Sequence, residues 1–274
     1  MLDGWLSSSI RAPCSYQFAV QDITEKIKPD LTDPNDPLLD DFAKHLLAAH
    51  ANPNMIREEC KILLGDLEDL DLTIIKSYVE SLLPAHESGV KGLARFGNFG
   101  EVLASRILID SQGFSVPIYK LRYREKRSWA MKLTDLCLIK IEGLPKPLVC
   151  YGEVKTNSSS YKRDLGVEGH NSLCKDDALS DPEILQFFCK ILYDKEQYKE
   201  AIFLSKLRLG KIEYEKKYYL FLVHEQTIWN DEILDRLNVQ SLDNRLTDFC
   251  VSVVCIHQLR KIIDECYARA WKGV

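Results

Sequence analysis

Residues 133–140 and 148–156 read as two apolar strands, and each carries a carboxylate where such a strand is normally apolar. Alternation places Asp135 in an otherwise apolar row on the first strand, and it places Glu153 and Lys155 on one face of the second. Two acids and a lysine on adjacent strands are the first candidates for a reactive site.

The short connection between these strands predicts how they pair. A hairpin folded symmetrically about Leu144 pairs Ile139 with Val149 and Asp135 with Glu153, because the residue numbers in both pairs have the same sum. Residues directly opposite each other in an antiparallel pair have Cβ atoms about 5 Å apart. Like charges at that distance repel, so we expect a cation between the two acids.

A divalent metal ion is the obvious neutralising cation. Mg²⁺ prefers carboxylate oxygens at about 2.0–2.1 Å and keeps waters, one of which can be the nucleophile; Mn²⁺ can substitute for it. Lys155 points an ammonium at the same place, where it can orient or deprotonate that water or offset charge developing on a phosphate. The residue types therefore predict metal-assisted hydrolysis.

This Asp…Glu-x-Lys arrangement resembles the core of the PD-(D/E)xK nuclease superfamily. The resemblance implies an α/β fold with a restriction-endonuclease-like core, in which a mixed central sheet is flanked by helices. It also implies a preceding helix that supplies another acid, and residues 97–109, closed by Gly113, read as that helix. By this resemblance the metal ligands are Glu101, Asp135, Glu153 and the carbonyl of Val154, and Lys155 positions the attacking water.

Three longer stretches are similar to the HamA family, the nuclease subunit of Hachiman-type antiphage systems. They are residues 96–101, 123–135 and 151–156. Members of that family are encoded beside a superfamily 2 helicase. The resemblance therefore implies a Mg²⁺-dependent deoxyribonuclease that acts on DNA with a helicase partner in antiphage defence.

A Glu-x-Lys tripeptide alone has little specificity, since residues 59–61 and 215–217 have the same spacing in charged contexts. Specificity comes from the strand placement, the register with Asp135 and the upstream Glu101. Two other interpretations stay open. One is a non-cleaving scaffold of the same fold that binds nucleic acid or a helicase, and the other is an RNA-cleaving toxin.

Further elements complete the predicted order α-β-β-β-α-β-β-α. A capping box at residues 180–183 opens a helix that runs to about Tyr198. Residues 218–223 and 249–256 read as strands, and residues 257–271 as a closing helix. The first strand of this order is the basic segment that leads into Asp135.

Charge is distributed unevenly along the chain. The net charge of −5 divides into −9 for residues 1–90, +6 for residues 91–132 and −2 for the remainder. The basic segment adjoins the predicted site, so it is the expected contact for DNA phosphates. A solvated charged hairpin is an equal alternative for any single member of the predicted DNA-binding set, which is Arg122, Arg124, Lys126, Arg127 and Lys132. Arg122 and Arg124 are expected to share a strand face.

The acidic region at residues 1–84 is expected to be separate from the nuclease core at residues 85–274. It contains a short strand near Phe18, a turn-rich linker, and helices at 38–51 and 66–83. Its charge disfavours DNA, so we expect its helices to dock a partner protein through apolar faces, although solvation is the default for acidic helices.

Composition excludes several classes of protein. The sequence has no apolar run of 18 residues and no signal-peptide pattern, so we expect no membrane span and a cytoplasmic location. The nine cysteines are scattered singly, without a C-x-x-C pair, which argues for reduced thiols and against structural zinc.

Overall fold

A six-stranded mixed sheet forms the centre of the fold in the computed structural model, which describes residues 6–11, 15–25, 35–64, 72–86, 93–124, 134–175 and 183–274. The strands are β1 Leu6–Ile10, β2 Ala19–Glu25, β3 Leu136–Lys140, β4 Leu148–Asn157, β5 Glu215–Glu225 and β6 Phe249–Ile256. Their order is β1-β2-β6-β5-β4-β3. The central pairs β2–β6, β6–β5 and β5–β4 are parallel, while the outer pairs β1–β2 and β3–β4 are antiparallel.

The register of the β3–β4 hairpin confirms the pairing that the sequence predicts. Ile139 lies opposite Val149, and Leu136 lies opposite Gly152. Asp135 is the residue immediately before β3, at the point where the same register would continue to Glu153. The hairpin thus delivers both acids to one end of the strand pair.

Helices cover both faces of the sheet. They are α1 Pro37–His50, α2 Pro53–Leu64, α3 Leu72–Leu82, α4 Leu93–Gln112, α5 Leu165–Lys175, α6 Glu183–Asp194, α7 Tyr198–Arg208, α8 Glu232–Val239 and α9 Leu259–Arg269. Short 3₁₀ helices occupy Lys120–Tyr123, Gln226–Ile228 and Ala270–Gly273. Within the described part of the chain, every helix is too short or too polar to cross a membrane.

Alternation along β3 shows how the two faces divide the core. Leu136 and Leu138 pack with α1, α4 and α9, whereas Cys137 and Ile139 pack with α5 to α8. Because helices cover both sides, β6 is buried at all eight positions, as expected for a central strand. The α/β fold class is confirmed, while the assignment to a PD-(D/E)xK core stays a prediction.

Two predicted elements differ from the structure. The basic stretch before Asp135 is not a strand over Lys120–Tyr123 but a 3₁₀ helix, and residues 125–133 lie outside the described residues. The capping-box residues 180–182 lie outside the described residues. The helix predicted to run to about Tyr198 ends at Asp194, because Glu196 adopts a left-handed backbone conformation with φ of 59°. Helices α2, α5, α7 and α8 were not predicted.

The N-terminal region contributes directly to the sheet and the core. Strand β2 pairs in parallel with β6, so Ala19 lies opposite Cys250. Asp36 caps α1 by accepting from the N–H of Leu38, and the apolar side of α1 packs on α9 and on the last 3₁₀ helix. The expectation that the helix beginning near Leu38 offers its apolar face to a partner is therefore wrong. The domain boundary near residue 84 stays a prediction.

Candidate active site

Glycine brings α4 close to β4 and thereby positions Glu101. A Cβ on Gly100 would overlap the hydroxyl of Thr156 and lie 3.0 Å from Val154 Cγ1, so only a residue without a side chain allows this approach. Glu101 follows directly on α4 and is 16% exposed. The predicted leading helix is confirmed, and it carries its acid to the end of the β3–β4 hairpin.

A buried lysine lies between the first two acids. The Nζ of Lys120 is 3.2 Å from Glu101 Oε2 and 3.8 Å from Asp135 Oδ1, and it donates to the carbonyl oxygen of Thr134 at 2.8 Å. Lys120 is only 7% exposed. Its ammonium lies between Glu101 and Asp135, whereas the sequence predicts a cation between Asp135 and Glu153.

Sequence reasoning grouped Lys120 with the basic segment and missed its place in the site. The signal available was its apolar context, since Ile118 and Leu121 flank it and a lysine is rarely buried without a partner. Asp135, by contrast, was predicted. Its Oδ2 accepts a hydrogen bond from the backbone N–H of Val154 at 2.8 Å, so the main chain of β4 also orients this carboxylate.

The other acid and the predicted catalytic lysine form a direct pair on β4. Lys155 Nζ lies 2.7 Å from Glu153 Oε1 and 3.2 Å from Ser172 Oγ on α5. Glu153 is buried, whereas a quarter of the Lys155 side chain is exposed. Gly169 lets α5 approach the sheet, because a Cβ there would overlap Leu220 on β5 and lie 3.3 Å from Lys155 Cγ. The two residues share a face, as predicted.

Burial dominates the electrostatics of Glu101. Removal from water raises its pKa to about 7, the Lys120 ammonium opposes the shift, and the Asp135 carboxylate adds to it. A carboxyl in this state binds a cation readily, since a positive charge relieves both the desolvation and the repulsion from Asp135.

The donor chemistry of the site suits a hard divalent cation. Glu101 and Asp135 direct oxygens at a single position, which the Lys120 ammonium fills, and Glu153 lies on the neighbouring strand in contact with Lys155. Within the described ranges, no three His, Cys, Asp or Glu side chains are grouped closely enough to hold a metal ion. The carboxylate oxygens are donors of the type that Mg²⁺ prefers. The complete ligand set, with the carbonyl of Val154, stays a prediction.

An open cleft with a cavity volume of about 50 Å³ adjoins the acids. Glu101, Lys120 and Asp135 line one part of it, and apolar residues of α4, α6 and the segment after α4 line much of the rest. The site is therefore continuous with a space that can hold part of a substrate.

Two arginines of the predicted DNA-binding set point into the protein. Arg122 Nε donates to the carbonyl oxygen of Ala48 at 2.8 Å, and Arg124 donates to Asn98 Oδ1 at 2.5 Å. They do not share a strand face, because the chain there is a 3₁₀ helix that ends at Tyr123. Three more members of the set, Lys126, Arg127 and Lys132, lie outside the described residues.

Comparison with known proteins gives two matches. The sequence model of the HamA family matches residues 19–270. The Hachiman protein HamA of Bacillus cereus is 31% identical over 134 residues, which are 48% of this chain and 46% of that protein. The chain thus spans about half the length of the curated relative that it matches.

Proposed function

This chain belongs to the HamA family of Hachiman antiphage defence, and from that premise we propose that it is a metal-dependent DNA nuclease. The observation that carries the proposal is the convergence of Glu101 and Asp135 on one cation position, 3.2 and 3.8 Å from Lys120 Nζ, at the end of the strand pair that also carries Glu153 and Lys155. Acids around one cation and a nearby lysine suit hydrolysis of a phosphodiester.

Each residue has a defined task in this proposal. Glu101, Asp135 and Glu153 would hold Mg²⁺, and the N–H of Val154 fixes the orientation of Asp135. When bound, Mg²⁺ supplies a Lewis acid and an acidic water. The Lys155 ammonium, anchored by Glu153 and Ser172, orients the attacking water and offsets charge on the phosphate. Lys120 moves from between the acids toward the same phosphate.

Incubation with supercoiled plasmid tests the chemistry. The purified chain should nick or linearise the plasmid with Mg²⁺ or Mn²⁺ and leave it intact with EDTA. Glu153→Ala and Lys155→Ala should each abolish cleavage, while circular dichroism shows an unchanged fold. Glu215→Ala and Lys61→Ala are matched controls, because each removes an exposed member of another Glu-x-Lys tripeptide and should cut at the wild-type rate.

One observation favours a second candidate, a non-cleaving scaffold that binds nucleic acid or a helicase. All three acids have partners inside the protein: Glu101 contacts Lys120, Asp135 accepts from the N–H of Val154, and Glu153 contacts Lys155. Such a balanced cluster can be purely structural. Plasmid that stays intact with every metal tested, in the presence of the partner, would support the scaffold over the nuclease.

We further propose that a superfamily 2 helicase encoded nearby is the partner. An acidic chain with a net charge of −5 has little electrostatic attraction for duplex DNA, so a helicase would supply affinity and restraint. Co-expression of the full chain with the helicase, one of them tagged, should yield a complex that survives gel filtration. Separate elution of the two proteins would count against the partnership.

A further inference from the structure

We propose that the cleft beside the acids binds one unstacked nucleobase of a single-stranded DNA substrate. This proposal rests on the proposed nuclease function and names its substrate class. The cleft extends from the acids along α4, and the proposed chemistry uses only its acidic end. The lining of the cleft also includes His45, Ser105, Arg106, Tyr119 and Phe188.

The spacing on α4 suits one nucleotide. Glu101, Ser105 and Arg106 all line the cleft. With a rise of 1.5 Å per residue, Ser105 lies about 6 Å and Arg106 about 7.5 Å along the helix axis from Glu101. A nucleotide whose phosphate meets the acids therefore directs its base into this space.

The walls of the cleft suit a flat ring with polar edges. Val102, Ile109, Val116, Ile118 and Phe188 form apolar surface. Tyr119 is more than a third exposed, and Arg122 stacks on its ring with the guanidinium carbon 4.8 Å from the ring centroid. Proteins that extract a base from the stack hold it between such apolar and aromatic side chains and read its edge by hydrogen bonds.

Arg106 supplies a buried donor in the cleft wall. Its Nε is buried and has no hydrogen-bond acceptor among the described residues. A base edge presents ring nitrogens and carbonyl oxygens, which would accept from this donor if the Arg106 side chain rotated to expose its Nε to the cleft. The Arg106 charge is already paired with Asp110 at 2.9 Å, which favours a neutral base edge over a phosphate at this end.

The cleft selects among forms of DNA. A base inside a duplex is stacked and paired, so it cannot enter without the energetic cost of unstacking. Single-stranded DNA offers its bases freely, and a helicase produces it. The substrate that the cleft fits is thus the product of the proposed partner.

Fluorescence anisotropy in EDTA at about 50 mM salt tests binding without cleavage. Three labelled ligands of equal length are compared, namely oligo(dT), an abasic oligonucleotide with the same phosphates, and a duplex. The full chain should bind oligo(dT) about 5- to 150-fold more tightly than the abasic strand, the range that one stacked base contributes. Equal affinity for the two single strands, or no binding to either, would overturn the proposal.

Ser105→Met fills the cleft from α4 and should remove the preference for oligo(dT) while leaving affinity for the abasic strand unchanged. Ser111→Met is the matched control on the same helix, because Ser111 does not line this cleft, and it should keep the wild-type preference. If Ser105→Met fails to fold, Tyr119→Ala provides the same test by removing the aromatic wall. A folded cleft variant that keeps the full preference would contradict the assignment. Plasmid cleavage with Mg²⁺ is measured separately. Cleavage without a preference for oligo(dT) would contradict the cleft assignment alone, and a preference for oligo(dT) without cleavage would contradict the nuclease proposal alone.

Discussion

At the scale of single residues, the positive charge of Lys120 offsets the repulsion between the carboxylates of Glu101 and Asp135. Its ammonium lies within 4 Å of both carboxylates and is anchored by the carbonyl of Thr134. The same position is the one that a metal ion would take. In the proposed nuclease, Lys120 and Mg²⁺ would therefore compete for one pair of acids, and the lysine offsets their charge without a metal.

Replacement of Lys120 by methionine should lower stability in EDTA by about 1–3 kcal/mol, because two partly buried acids lose their counter-charge. Added Mg²⁺ should then raise the melting temperature more in Lys120→Met than in the wild type, since metal binding no longer requires displacement of the ammonium. Differential scanning fluorimetry with and without Mg²⁺ measures both effects. The exposed Lys61, changed to methionine, is the control. Identical Mg²⁺-induced shifts in wild type and variant would contradict the competition.

His50 gives the protein a defined sensitivity to acid. Its Nδ1 hydrogen donates to the carbonyl of Leu46 at 2.8 Å, and its Nε2 accepts from Asn98 at 3.1 Å, so the buried ring is neutral. Burial lowers the pKa of His50 from 6.5 to about 3. The unfolded chain therefore takes up a proton below pH 6.5 that the folded protein does not accept until about pH 3, and stability is lost as the pH falls through this window.

His50→Gln should flatten the decline in stability between pH 6.5 and pH 3, by up to a few kcal/mol at the acid end, although it removes packing at neutral pH. Urea denaturation at several pH values measures the difference between variant and wild type. His86 is largely exposed, so His86→Gln should follow the wild-type curve. A parallel decline in His50→Gln and wild type would show that another group causes the acid sensitivity.

At the scale of elements, the contact between α4 and β4 sets the geometry of the site. Gly100 faces Thr156 and Val154 with no room for a side chain, and Glu101 is the next residue on the helix. Any displacement of α4 from the sheet moves Glu101 away from Asp135. The position of one acid thus depends on the close packing of two elements.

Gly100→Ala should destabilise the protein by about 1–3 kcal/mol through overpacking. It should also reduce the cleavage rate by more than the loss of folded protein accounts for. Gly97 lies on the same helix with nothing within 4 Å of an added Cβ, so Gly97→Ala should be neutral or slightly stabilising. Urea unfolding and plasmid cleavage under conditions where both variants are folded provide the comparison. Equal cleavage activity in the two variants would show that the close contact between α4 and β4 does not set the geometry of the site.

At the scale of the whole molecule, the N-terminal region and the site-bearing half share one sheet and one core. Strand β2 covers the edge of β6, and Leu39, Leu46 and Leu47 of α1 are fully buried. The acidic residues of this region therefore belong to a structural layer. A partner surface has to be sought among its exposed residues, which include Met55, Ile62, Leu72 and Ile74.

A chain that begins at Glu87 should fail to fold cooperatively, because it exposes the apolar edge of β6 and removes α1 from the core. Thermal unfolding followed by circular dichroism, together with gel filtration, distinguishes this outcome from a stable core. The full-length chain purified in parallel is the control. A soluble truncated protein with a sharp transition would restore the domain boundary near residue 84.

Local patterns in the sequence determined much of the element layout. Alternation located the β3–β4 hairpin with its correct register, and a continuous apolar run located β6 at Phe249–Ile256 with the same bounds. The α4 helix, closed by a terminal glycine, and its Glu101 were identified through the family resemblance. These features succeed because each depends on residues close together in the chain.

Only the tertiary structure decided what surrounds these elements. In the sequence Lys120 is one more basic residue, and only the folded structure places it between Glu101 and Asp135. The sequence predicts Arg122 and Arg124 as DNA contacts, while the structure shows their side chains donating to Ala48 and Asn98. The sequence likewise did not decide whether the apolar face of α1 packs against a partner protein or against the core of this chain. Charge and hydrophobicity along a chain indicate that a group needs a partner, but which partner it finds depends on contacts between residues far apart in sequence, and those are fixed only when the whole chain packs.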